Sequence, residues 1–119
     1  MTFQSRNLDK PDEIRKFTNG EFGVVTVPGT IVGRAVFQPG WRWSNDVKPV
    51  AGTESCEAAH TGYIISGRMH VAMDDGAEGD LGPGDAFVIS PGHDAWIVGG
   101  EPCVALDWSA AGNYAKPAE

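Results

Sequence analysis

Cysteine is scarce in this chain of 119 residues, which has two, Cys56 and Cys103. Two thiols are too few for a disulfide framework, so a packed core must hold the fold, and in a reducing compartment both stay thiols. Basic residues are scarce too. The 9 Lys and Arg stand against 16 Asp and Glu, a net charge of -7, and they form no cluster of the kind that phosphates require. That argues against a nucleic-acid partner. No apolar run approaches the roughly 20 residues of a membrane span. The opening MTFQSRNLDKPDE lacks the apolar centre of a signal peptide, so the expectation is a cytoplasmic protein with no membrane partner. There is no serine nucleophile elbow, phosphate loop or dinucleotide fingerprint, which argues against hydrolysis through a covalent serine intermediate. Internal repeats, long linkers and a sustained helical period are missing as well.

What is abundant is punctuation. With Gly 16 and Pro 8 beside a hydrophobic fraction of 41%, the chain reads as one domain with one core and many tight turns. Short β-branched runs lie between the turn residues: IRKF, FGVVTV, TIVGRAVF, TGYIIS, RMHVAM, a short run in AEGDLGPGD, AFVIS, AWIVGG and CVALDW. Such runs predict about eight to ten strands in an all-β antiparallel sandwich or barrel. Residues 1–29 read as an N-terminal arm with the first strands, 30–109 as the core, and 110–119 as a small, polar, peripheral tail.

The residues that can carry chemistry cluster in the middle. Glu54, Cys56 and His60 share one parity, so in an extended segment all three face one cavity and can bind a metal. The alternative for Cys56 is a small buried hydrophobe, and for His60 a core histidine satisfied by backbone. Trp41 and Trp43 share a strand face ahead of the polar loop SNDVKP; they either line a ligand pocket, with Tyr63, or cap one end of the core. His93, in the turn SPGHD, either pairs with Asp94 as a general base or is solvated. His70 faces away from Met69 and Val71, toward the surface or another sheet, and Glu57 has the parity opposite to Cys56.

The order of elements, with GYIISGRMHVAMDDG and GPGDAFVISPG in it, resembles the cupin superfamily over roughly residues 30–108. The family's first motif is GxxxxxHxHxxxExxxxxxG. Aligned on Gly67, its two His fall on Glu54 and Cys56 and its Glu on His60. The second motif is GxxxxxPxGxxHxxxN. From Gly84 its Pro falls on Ser90, its Gly on Gly92 and its His on Ala95. The resemblance implies a double-stranded β-helix (jelly-roll) barrel with a divalent metal and a small-molecule ligand inside. It implies the ligand set Glu54, Cys56 and His60, with His93 replacing the histidine missing at Ala95. A thiolate beside imidazoles is a softer set than the family's usual one, suited to zinc, iron, nickel or copper. The resemblance leaves three functions open: a metal-dependent oxygenase or isomerase, a non-catalytic ligand-binding or sensing module, and a metal-free pocket. It also implies a homodimer, and it brings Cys103 toward Cys56, as a disulfide, an extra ligand or two unlinked thiols.

Overall fold

Alternation along short strands builds two sheets that face each other across the core. The computed structural model describes residues 3–109, 111, 112 and 114. Its strands are β1 (Glu13–Phe17), β2 (Gly20–Val27), β3 (Thr30–Phe37), β4 (His60–Ser66), β5 (Arg68–Met73), β6 (Glu78–Leu81), β7 (Ala86–Ile89), β8 (His93–Val98) and β9 (Cys103–Asp107). Each apolar run between glycines has become one of them. One sheet has the order β1-β2-β3-β9-β4-β7 and the other β6-β5-β8, and every pairing is antiparallel.

The inward positions follow the two-residue period. Phe22, Ala35, Phe37, Ile64 and Ala105 from the larger sheet meet Met69, Val71, Ala95 and Ile97 from the smaller one. Burying a large apolar side chain of this kind stabilises the fold by about 1.5–3 kcal/mol. The β4–β5 hairpin turns at Gly67, whose φ of 78° is open to glycine; a Cβ there would also lie 2.3 Å from the Pro102 carbonyl oxygen. Gly62 lets β4 and β9 approach closely, because a Cβ would run into the Leu106 carbonyl.

The expected jelly-roll barrel is not closed. The larger sheet ends at β1 and β7 and the smaller at β6 and β8, with no ladder joining them among the described residues. The segment that would have to fill one gap, residues 38–59, forms no ladder with β8, only the isolated bridges Arg42↔Trp96 and Cys56↔His93 beside the contacts of Arg42 and Ser44 with Asp94. It is not extended enough to do more. The polar stretch read as a loop forms two helical turns, α1 (Trp43–Asp46) and α2 (Lys48–Ala51), and a bend follows at residues 53–55. Trp41 and Trp43 therefore do not share a strand face; both are buried where this segment folds against the core.

The tail also departs from expectation. Ala111 and Tyr114 are buried, and Arg15 reaches from β1 to donate to the Tyr114 carbonyl at 2.7 Å and the Gly112 carbonyl at 3.4 Å. The other residues of the peripheral tail, 110, 113 and 115–119, lie outside the described residues.

Candidate metal centre

Cys56 and His93 are brought together by backbone. The Cys56 N–H donates to the His93 carbonyl at 2.8 Å, and the Gly92 N–H donates to the Cys56 carbonyl at 2.8 Å. This ties the loop ahead of β4 to the first residue of β8. His60 opens β4, and its Nε2 lies 3.5 Å from Cys56 Sγ. One donor atom from each of Cys56, His60 and His93 falls within 4.8 Å of the others. Cys56 and His93 are each 3% exposed.

Both imidazoles are held by their far nitrogens. His93 Nδ1–H donates to the Ser90 carbonyl at 2.8 Å, which leaves Nε2 for the Cys56 side. His60 Nδ1 lies 2.5 Å from Asp107 Oδ2. Asp107 is placed there by the β4–β9 ladder, in which it pairs with Gly62. A histidine whose second nitrogen is fixed by a carboxylate or carbonyl is the usual support of a metal-ligating imidazole.

The electrostatics of the cluster are those of an ion pair. Burial opposes a thiolate at Cys56, but hydrogen bonds from His60 and His93 and their positive charge outweigh it and bring the thiol down to about 6. Burial likewise opposes the His60 imidazolium, yet Asp107 and the Cys56 thiolate push it up to about 9. Thiolate and imidazolium therefore coexist near neutral pH. Cys103 differs: burial alone pushes its thiol up to about 11, and both cysteines are free.

The donors open on a cavity of about 50 Å³ lined by Phe22, Phe37, Ile64, Met69, Trp41 and Trp43, with Tyr114 in its wall. The Tyr114 ring packs edge-on against His60 with centroids 5.3 Å apart. A water needs roughly 10–15 Å³ on this measure, so the space suits an ion and a very small molecule. The spacing of Cys56 and His60 matches that of two ligands of a four-coordinate ion. With sulfur at about 2.3 Å and nitrogen at about 2.0 Å from a tetrahedral centre, the two atoms would lie about 3.5 Å apart. Cys56 Sγ and His60 Nε2 are 3.5 Å apart.

Of the residues singled out in the sequence, Cys56, His60 and His93 come together and Glu54 does not. Glu54 projects into solvent from the bend and pairs with Lys48 at 2.9 Å. The shared parity failed there because residues 53–55 are not extended. Trp41 and Trp43 line the cavity, but Tyr63 stands on the outer face of β4 at 40% exposure, since His60, Gly62 and Ile64 take the inward positions. His93 does not pair with Asp94, which faces the other side of β8 and binds Arg42 at 3.3 Å and the Ser44 N–H at 3.1 Å. His70 lies on the outer face of the smaller sheet, 2.6 Å from Asp80. Two site residues were missed. Asp107 shares the inward parity of Cys103 and Ala105 and was legible as a carboxylate aimed at the core; Tyr114, in a tail of small polar residues, carried no signal.

Two facing antiparallel sheets around one cavity are the arrangement of a cupin fold. The chain belongs to the EutQ-like cupin domain family, whose profile matches residues 37–109. No curated protein matches the sequence. Among solved structures, a protein of unknown function from Rhizobium leguminosarum is similar at a TM-score of 0.66 and 15% identity, over 99% of this chain and 100% of that one. The polyketide cyclase RemF from Streptomyces resistomycificus is similar at 0.64 and 16% identity, over 92% and 80%. Oxalate decarboxylase from Lactobacillus farciminis is similar at 0.61 and 17% identity, over 92% of this chain and 35% of that larger one. At these identities the likeness is one of fold.

Proposed function

We propose that the protein binds one transition-metal ion through Cys56, His60 and His93 and takes a small molecule at the remaining position. The observation that carries this is the orientation of the imidazoles: both Nδ1 atoms are engaged by oxygen, on Asp107 and Ser90, so both Nε2 atoms are left for the space beside Cys56 Sγ. Three protein donors with a fourth position open is the arrangement of a working rather than a purely structural site. The thiolate and two imidazoles favour zinc, iron, nickel or copper over magnesium or manganese. Such an ion supplies a Lewis acid to an oxygen of the small molecule.

The chain's own residues do the rest. Asp107 holds the His60 proton at Nδ1 and keeps Nε2 turned toward the cavity. The apolar wall excludes bulk water, and Tyr114 closes the space over His60. We also propose that two copies pair through the outer face of the larger sheet, where Tyr63, Ile65 and Val88 are exposed on β4 and β7.

Cobalt(II) tests the metal reading. Reconstituted protein should show a thiolate-to-cobalt charge-transfer band that vanishes in Cys56→Ala and shifts in His93→Ala; a spectrum of hydrated cobalt alone would refute it. A second reading is favoured by the row Cys56–His60–Asp107, with gaps of 3.5 and 2.5 Å. In that reading the pair works without metal as an oxidation-responsive thiolate in a sensing module. Loss of the thiol on mild peroxide treatment, unaffected by saturating zinc, would favour it.

A further inference from the structure

One buried polar group, on a residue that lines the cavity, has no partner among the described residues. The Nε1–H of Trp41 is buried with no hydrogen-bond partner among the described residues, and Trp41 is 2% exposed. Buried donors are nearly always satisfied, because leaving one unpaired forfeits its hydration with no return. Nor can the ring swing toward another partner. The Trp41 N–H donates to the Gln38 carbonyl at 3.0 Å, its carbonyl accepts from Ile97 N–H at 3.0 Å, and its ring lies against Phe37 with centroids 4.2 Å apart. The donor is fixed in a ring that lines the same cavity as Cys56, His60 and His93.

We infer that Trp41 is the second anchor of a ligand subsite for a small monocarboxylate, one oxygen facing the metal position and the other accepting the Trp41 Nε1–H. The inference rests on the metal reading above and deepens it. A carboxylate fits on two counts. It offers two acceptor oxygens and no donor, matching one ion position and one orphan N–H. The cavity of about 50 Å³ accommodates a group of a few non-hydrogen atoms, and the walls of Phe22, Phe37, Ile64 and Met69 suit a short alkyl or hydrogen substituent.

The test uses zinc-loaded protein, wild type and Trp41→Phe, with acetate as the probe and benzoate as the oversize control. Zinc content and zinc affinity are measured first. In the wild type, one indole N–H resonance, identified by its absence in Trp41→Phe, should move downfield as acetate is added. Calorimetry should show acetate binding about ten- to a hundred-fold weaker in Trp41→Phe at unchanged zinc content, and benzoate far weaker than acetate in both. Acetate that fails to bind zinc-loaded wild type, binds both proteins equally or shifts no indole signal would overturn the subsite. Benzoate binding as tightly as acetate would overturn its size limit. Wild-type protein that takes up no zinc would defeat the metal reading itself, and this inference with it.

Discussion

The proton on His60 links the site to pH. Its imidazolium persists to about 9, whereas the Cys56 thiol is lost above about 6, so at neutral pH the sulfur is ready for an ion and the imidazole is not. Metal uptake must displace the Nε2 proton, and affinity rises with pH until His60 is neutral. Near pH 7.5 each ion should release about one proton, read with an indicator dye in weak buffer; release of none would mean that His60 holds no Nε2 proton before the ion binds or is not a ligand. Asp107 acts on the same nitrogen pair from the other side. Asp107→Asn should weaken zinc binding by about ten- to a hundred-fold in chelator competition, while circular dichroism stays unchanged. Residue types alone pointed to Cys56 and His60, and His93 was within reach as a substitute two positions from the motif. Glu54 was misleading because parity is informative only where the backbone is extended.

Strands were the legible elements. Each run of β-branched residues between glycines became a strand, and Gly67 marked the hairpin because only glycine suits its positive φ and close packing. Residues 38–59 were not legible, since α1 and α2 are four residues each, too short to leave a helical period. The return of the chain after β9 was hidden as well. Its placement depends on Arg15, distant in sequence, gripping the carbonyls of Gly112 and Tyr114. That contact closes the site: Tyr114 packs on His60, Phe22 and Phe17 and is 6% exposed. Tyr114→Ala should lower unfolding free energy by about 3 kcal/mol in urea titrations and open His60 to solvent. A change within about 0.5 kcal/mol would show that the segment is not seated on the core.

At the scale of the molecule, the two sheets meet face to face without joining, so the cavity is closed by packing side chains and two single bridges rather than by a continuous ladder. Closure was the part of the architecture that the family pattern over-predicted, because it counts strands and turns but does not show how residues 38–59 fold. The open face of the larger sheet, where Val88 is 78% exposed, is the surface expected to pair. Light scattering should give the mass of two chains, reduced to one by Val88→Lys with Ile65→Lys; a single-chain mass for the wild type would end that proposal. The proposed function depends on three side chains in one cavity. The direct measurement is elemental analysis of the purified protein before and after incubation with zinc, iron(II), nickel or copper, beside Cys56→Ala, His60→Ala and His93→Ala. About one ion per chain in the wild type, lost from each variant, is the predicted result. A wild type that holds no stoichiometric metal under any of these conditions, or variants that hold it as well, would contradict the assignment of Cys56, His60 and His93 as a metal centre.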